Sequence, residues 1–314
     1  MITILVLNKL ADRHKTMINN VSEDLQVISC EWEDAGQYIA EADVLVAWGW
    51  MDIKALYLAA PKLKWVHALS AGVETMTFPE IQGSATVLTN SRGIHGIPIA
   101  EHIFAMALTF TRGLHLLLRQ QLNKKWRRVP TDEIHEKTIG IIGLGSIGRE
   151  IAKKAKGLGM HVVATKREIT TELFVDKLYP PAELNTMLAL CDFVVVALPL
   201  IAETQEYIRL EHFQVMKRSA YFFNISRGAV VREPDLIIAL EQGLIAGAGL
   251  DVFETEPLPE NNPLWERENV IITPHLAALS PYYLDRAIKL FTDNLARYMN
   301  GRDMFNIIDK QKGY

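Results

Sequence analysis

The sequence predicts an α/β protein whose parallel sheets are covered by helices. Three observations carry this. Strand-like β-branched runs alternate with amphipathic or polar stretches over the first ninety residues. A strand, a glycine turn, a helix and a second strand follow one another from Thr138 to Thr165. Four more strand-length apolar runs, separated by helical stretches, come after that unit.

In the first part, Ile2–Leu7, Gln26–Glu31, Asp43–Trp48, Trp65–Leu69 and Thr86–Thr89 read as strands, with Ala35–Ala42 and Ile53–Ala59 as covering helices. Asn90–Ile97 (NSRGIHGI) reads as a linker rich in glycine and small polar residues. Pro98 suits the first turn of a long helix, Ile99–Arg119, whose apolar residues lie nearly all round and predict burial between domains or subunits. The basic run Lys124–Arg128 that follows predicts a solvated loop with one packed tryptophan, Trp126.

The central unit reads TIGIIGLGSIGREIAKKAKGLGMHVVATKRE. The run Thr138–Ile142 suits a buried strand, and Gly143, Gly145 and Gly148 stand in G-x-G-x-x-G spacing. Ile147, Ile151, Ala155 and Leu158 mark a helix closed by Gly159, before the strand Met160–Thr165. The first glycine allows the tight turn, the second lets a pyrophosphate approach the backbone, and the third lets helix and strand pack closely. Free N–H groups at the helix N-terminus then serve the phosphates. The pattern points to a dinucleotide. About 20 residues further on an acid is expected on the adenine ribose. Lys166 and Arg167 stand there instead, which suits a 2′-phosphate and predicts NADP in preference to NAD, with Glu168 next door as a possible acid for NAD.

Phe193–Ala197, Ala220–Ile225, Ile245–Leu250 and Val270–Thr273 complete a doubly wound sheet, with helices over Leu184–Leu190, Leu210–Met216 and Leu236–Gln242. A last helix, Pro281–Met299, has Ser280 as N-cap and Asn300-Gly301 at its end; it could return the chain to the first domain.

Polar segments stand just past the strands. They are Leu198-Pro199, Asn224–Gly228, Asp251–Pro257 and Thr273–Ala278. Ligands in open α/β sheets sit at those carboxyl ends. Arg227 could grip a planar carboxylate and polarise the carbonyl beside it. His275 could move the proton of a hydroxyl, with Glu256 favouring its protonated form.

With 49% apolar and 22% charged residues, the composition of the 314-residue chain is that of an ordinary soluble protein. A net charge of -4 argues against a nucleic-acid or anionic-membrane partner. Cys30 and Cys191 lie in apolar contexts without metal-ligand spacing, so no metal is expected, and inert thiols in a reducing compartment are. The N-terminus has no signal-peptide pattern, and no apolar run reaches spanning length. A cytoplasmic protein is the expectation.

In order along the chain, GLGSIG, ALPL, NISRGAVV, GLDVFETEPLP and ITPHLAA resemble the successive signatures of the D-isomer-specific 2-hydroxyacid dehydrogenase family. SAGVE (Ser70–Glu74) and GIPIAEH (Gly96–His102) extend the likeness over nearly the whole chain. The resemblance implies a discontinuous flavodoxin-like substrate domain over residues 1–96, a Rossmann domain over 97–280, and a terminal helix in 281–314 returning to the first domain. It implies Arg227, Glu256 and His275 as catalytic residues. Cofactor contacts would come from Gly143, Gly145, Ser146, Ile147, Gly148, Leu198, Pro199, Thr204, Ile225, Ser226, Asp251 and Ala277, beside Lys166 and Arg167. Trp48, Gly49, Ala71, Gly72 and Val73, with Arg227 and His275, would hold the substrate; Trp48-Gly49-Trp50 resembles the substrate-facing loop of glyoxylate/hydroxypyruvate reductases. The expected activity is reduction of a small 2-keto acid to its D-2-hydroxy acid by a homodimer. The alternative is a dinucleotide-gated binding module like the carboxy-terminal-binding corepressors, which keep the same Arg/Glu/His set. With the sequence ending at Tyr314, the regulatory domain of long phosphoglycerate dehydrogenases is not expected.

Overall fold

The computed structural model describes residues 1–311. The described chain forms two compact units, Met1–Ile94 with the residues from Ser280 on, and His95–Leu279. Residues 312–314, the end of the expected terminal segment, lie outside the described residues.

The first unit holds five parallel strands, β1 (Ile2–Leu7), β2 (Leu25–Cys30), β3 (Val44–Ala47), β4 (Trp65–Ala68) and β5 (Val87–Asn90), in the order β2-β1-β3-β4-β5. Successive side chains of a strand point to opposite faces. Ile4, Val6, Val44, Val46 and Trp65 therefore pack on one face, and Leu5, Leu7, Leu45, Ala47 and Val66 on the other. Both faces are buried, which is why these strands read as continuous apolar runs. The helix Tyr283–Met299 covers the Trp65 face with Ala287, Ile288, Phe291 and Leu295, and the Phe291 ring stacks on Trp65 at 5.1 Å. Past Gly301 the Ile308 N–H donates to the Leu88 carbonyl at 2.8 Å, tying the C-terminal segment to β5.

The second unit holds seven parallel strands: β6 (Thr138–Ile142), β7 (His161–Thr165), β8 (Lys177–Tyr179), β9 (Phe193–Val196), β10 (Tyr221–Asn224), β11 (Gly247–Leu250) and β12 (Val270–Ile272). Their order is β12-β11-β10-β9-β6-β7-β8. The chain winds one way through β6, β7 and β8 and the other way from β9, so the switch point lies between β6 and β9. Alternation again feeds two cores: Val194, Val196 and Phe222 on one face, Phe193, Val195 and Phe223 on the other.

Several elements differ from the sequence expectation. Ala35–Ala42 is not an α-helix but two 3-10 turns, Trp32–Gln37 and Ile39–Glu41, in a stretch that contains Gly36 and anchors chiefly through Ala35 and Ile39. Asn90 belongs to β5, and the next helix starts at Gly96, which makes Pro98 its third residue, a position where an N–H would have no intrahelical acceptor, so proline's lack of one costs nothing. The long helix divides into Gly96–Thr111 and Leu114–Leu122. Gly113 adopts φ +63° at the break, and a Cβ there would lie 2.7 Å from Val129. Only the first piece is buried. It packs on the sheet of its own unit, where Phe110 stacks on Tyr221 at 4.6 Å, while Leu114, Leu118 and Leu122 are exposed. Trp126, expected to pack, is fully exposed. The last helix begins at Tyr283 rather than Pro281, because Ser280 Oγ accepts the Tyr282 N–H at 3.2 Å in a turn ahead of it.

Candidate active site

The glycine turn leaves β6 at the switch point. Gly143 has φ +97°, and a Cβ there would meet the Ala197 carbonyl at 2.9 Å and Leu198 at 2.8 Å, both just past β9. A Cβ on Gly148 would meet the Gly143 carbonyl at 2.5 Å, so the helix Ser146–Gly157 can approach the turn only with glycine there. At Gly145 a Cβ would meet nothing within 4 Å. The glycine borders open space at a helix N-terminus with no side-chain cap, where the first N–H groups lack intrahelical partners. A pyrophosphate fits that cradle, with Ser146 exposed and Ile147 partly so beside it.

Lys166 and Arg167 lie directly beyond β7. Lys166 is partly buried and ion-paired to Glu172 at 2.6 Å, and Arg167 is exposed. Glu168 is exposed as well; the carboxylate that meets Lys166 is Glu172. Beyond β9, Leu198 is partly buried and Pro199 exposed. The buried Thr204 hydroxyl donates to the Pro199 carbonyl at 2.6 Å and accepts the Ile201 N–H at 2.9 Å, closing that loop.

Past β10, Ile225 and Ser226 are buried and Arg227 is exposed. Asn224 fixes the turn: its Oδ1 accepts the Ser226 N–H at 3.1 Å and hydroxyl at 2.9 Å, and its Nδ2 donates to the Arg227 carbonyl at 3.1 Å. The Arg227 guanidinium also donates to the Ser226 carbonyl at 2.9 Å. Burial, and secondarily the Arg227 charge, holds His95 down at about 4, neutral at physiological pH.

The end of β11 organises the histidine. Asp251, 2% exposed, accepts the Thr273 hydroxyl at 2.6 Å and the N–H groups of Leu276 and Ala277, each at 2.9 Å. The His275 N–H donates to the Asp251 carbonyl at 2.9 Å. Together these hold His275 at φ +50°, a backbone state uncommon for residues other than glycine. Its Nδ1 lies 2.7 Å from Glu256 Oε2, and Glu256 Oε1 accepts the Phe253 N–H at 3.0 Å. His102 reaches the same network through Nε2, 3.0 Å from the Thr273 hydroxyl; burial lowers its pKa.

In the other unit, the loops after β3 and β4 are joined. The Gly49 N–H donates to Ser70 Oγ at 2.9 Å, whose hydroxyl donates to the Gly72 carbonyl at 2.8 Å. A Cβ on Gly49 would stand 1.9 Å from that carbonyl, so only glycine fits. Ala71 is exposed, Val73 is buried, and the Ala71 carbonyl accepts Asn90 Nδ2 at 2.5 Å. Trp48 is half-buried, tilted against Tyr283 at 5.5 Å, with Nε1 donating to Asn8 Oδ1 at 3.1 Å; Trp50 is exposed.

The structure thus joins His275, Glu256, Asp251 and Ala277 in one network, Gly143 with Gly148 and Leu198 in another, and Gly49 with Gly72 in a third. The sequence did not single out Thr273 and His102 as partners of Asp251, or Glu172 and Arg149 as partners of Lys166. Among the described residues, no cluster of three or more His, Cys, Asp or Glu could hold a metal ion, and no helix is long and apolar enough to cross a membrane.

A dinucleotide cradle at a switch point, with a His–Glu pair along the same sheet edge, defines a nicotinamide-dependent oxidoreductase. Residues 104–277 match the family model for the D-isomer specific 2-hydroxyacid dehydrogenase NAD-binding domain. The glyoxylate reductase of Korarchaeum cryptofilum is 33% identical over 266 residues, covering 82% of this chain and 79% of that one. Among solved structures, a D-isomer specific 2-hydroxyacid dehydrogenase family protein from Aeromonas salmonicida superposes with TM-score 0.89 at 34% identity, covering 98% of this chain and 99% of the other. The NADPH-dependent glyoxylate/hydroxypyruvate reductase of Sinorhizobium meliloti, in complex with NADP and sulfate, gives TM-score 0.83 at 26% identity over the whole of both chains. The chain belongs to the D-isomer-specific 2-hydroxyacid dehydrogenase family. It is an NAD(P)-dependent enzyme of that family.

Proposed function

We propose that the protein reduces a small 2-keto acid of the glyoxylate or hydroxypyruvate type to its D-2-hydroxy acid, with NADPH as the preferred reductant and NADH as a weaker one. The observation that carries the reading is the His275–Glu256 pair, 2.7 Å apart and set on a turn that Asp251 fixes. The bound nicotinamide would supply the hydride to the carbonyl carbon. Glu256 engages Nδ1, which leaves Nε2 of His275 to deliver the proton to the carbonyl oxygen. Arg227 would grip the substrate carboxylate and polarise the carbonyl. Ile225, Ser226 and Asp251 would line the nicotinamide side, with Ala277 and the Leu198–Thr204 loop completing the cofactor walls. Gly145, Ser146 and Ile147 would receive the pyrophosphate.

In this reading residues 1–96 are the substrate domain, whose proposed substrate contacts are Trp48, Gly49 and the backbone N–H groups around Ala71, Gly72 and Val73. Residues 97–280 bind the dinucleotide, and the helix within 281–314 completes the first domain. The names of the Korarchaeum and Sinorhizobium proteins support the substrate class. Lys166-Arg167 beyond β7, together with NADP in the Sinorhizobium complex, supports the cofactor preference. A homodimer would cover the exposed Leu114, Leu118, Leu122 and Trp126. The unpaired thiols Cys30 and Cys191, the latter pushed up to about 12 by burial, suit the reducing cytoplasm.

Initial rates of NADPH and NADH oxidation against a panel of 2-keto acids test the reading. Faster NADPH turnover with glyoxylate, hydroxypyruvate or a near relative is expected. Turnover with NADH alone would overturn the cofactor assignment, and none with either would overturn the substrate class.

A further inference from the structure

A carboxylate already sits among the cations beyond β7. Glu172 accepts Nε of Arg149 at 2.9 Å, Nη2 of Arg149 at 2.8 Å and Nζ of Lys166 at 2.6 Å. Lys166 Nζ also donates to the Thr170 hydroxyl at 2.7 Å. The Glu172 side chain is only 10% exposed, although nothing between β7 and β8 is helix or strand. Arg149 contributes two parallel N–H donors, the fork with which a guanidinium grips carboxylate and phosphate alike. Two cations, Arg149 and Lys166, thus share the one carboxylate of Glu172, and Arg167 stands exposed directly after Lys166.

We propose that Glu172 occupies the seat of the ribose 2′-phosphate, so that NADP(H) binds by displacing this carboxylate and Glu172 sets the margin of NADP(H) over NAD(H). A phosphate monoester offers three acceptor oxygens and up to two charges to donors that Glu172 otherwise holds. Both anions on one Arg149–Lys166 pair would repel at contact range, so exchange is favoured over coexistence. The surrounding loop can carry Glu172 away, because no ladder of backbone hydrogen bonds fixes it. Arg149 foremost, then Lys166, hold the Glu172 carboxyl down at about 2, so it competes as a full charge at neutral pH. A cofactor without the 2′-phosphate leaves the ion pairs intact.

The inference rests on the NADP reading above, and one set of titrations separates the two. Dissociation constants for NADPH and NADH are measured by nicotinamide fluorescence on the wild type, Glu172→Gln, Glu172→Ala and Lys166→Ala, with thermal unfolding as the check on folding. Glu172→Gln and Glu172→Ala are expected to tighten NADPH by about tenfold and to leave NADH within about twofold. Weaker NADPH binding in both would overturn the inference and make Glu172 a brace for the cations. Weaker NADH binding would overturn it by making Glu172 the acceptor for the ribose diol, and no change in either cofactor would overturn it outright. Lys166→Ala judges the underlying reading. If it leaves the NADPH/NADH ratio untouched, the 2′-phosphate seat itself is wrong. If it collapses the ratio while the Glu172 variants tighten nothing, only the role given to Glu172 falls.

Discussion

Glu256 ties His275 to the end of β11: one carboxylate oxygen lies 2.7 Å from His275 Nδ1 and the other accepts the Phe253 N–H at 3.0 Å. The imidazole is therefore oriented twice, through its ring by Glu256 and through its backbone by Asp251. His275→Ala should lower kcat on the order of 10²–10⁴-fold, the usual worth of a placed acid–base group, and leave the NADPH dissociation constant within about twofold. Glu256→Gln keeps an acceptor but loses the charge, and should lower kcat by a smaller factor, about tenfold. Steady-state kinetics beside fluorescence titration checks both; full turnover in His275→Ala would remove it from the chemistry.

Arg227 makes a different kind of demand. Its main chain is held by Asn224, so the position survives substitution and the guanidinium alone is tested. Arg227→Lys retains a charge but cannot present two parallel donors to a carboxylate. Loss of one charge-assisted hydrogen bond costs about 1.5–3 kcal/mol, which predicts kcat/KM for the keto acid lower by about 10- to 150-fold, with NADPH binding little changed. Wild-type kcat/KM in this variant would rule out the forked contact.

The same contrast between local and distant signals explains what the sequence could tell. Both sheets were legible because their strands are buried on both faces and read as apolar runs, and the glycine turn was legible because its requirements fall within a few residues. β8 escaped notice: three residues long, with Lys177 outermost, it carries no pattern of its own and is a strand only because β7 pairs with it. The break at Arg112–Gly113 was hidden by apolar residues continuing on both sides, and those beyond it turned out to face solvent. Asp251 was named, but its partners Thr273, Leu276 and Ala277 lie 22 to 26 residues away and meet it only when β11 and β12 pair. Glu172 was missed for a similar reason. The spacing rule directs attention to the end of β7, whereas this acid arrives from the following loop and meets an arginine 23 residues before it.

His67 makes stability, rather than catalysis, sensitive to acid. It stands in β4 wholly buried, Nδ1 2.8 Å from the Thr89 hydroxyl, Nε2 3.1 Å from Ser91 Oγ, and its ring 5.3 Å from Phe291. Burial lowers its pKa from 6.5 to about 3. Above 6.5 the imidazole is neutral in both folded and unfolded chains and contributes no pH dependence. Between 6.5 and about 3 the unfolded chain binds a proton that the folded one refuses, so stability falls as pH falls, with a limiting slope of about 1.4 kcal/mol per pH unit. His95, lowered to about 4, acts in the same sense over the upper part of that window. Replacing His67 with Gln keeps a donor and an acceptor near Thr89 and Ser91 but nothing that titrates there. The variant should be less stable than the wild type at pH 8, and the gap should narrow steadily as pH drops from 6.5 to 5 in urea unfolding. Parallel curves across that range would show that His67 is not the group that the unfolded chain protonates.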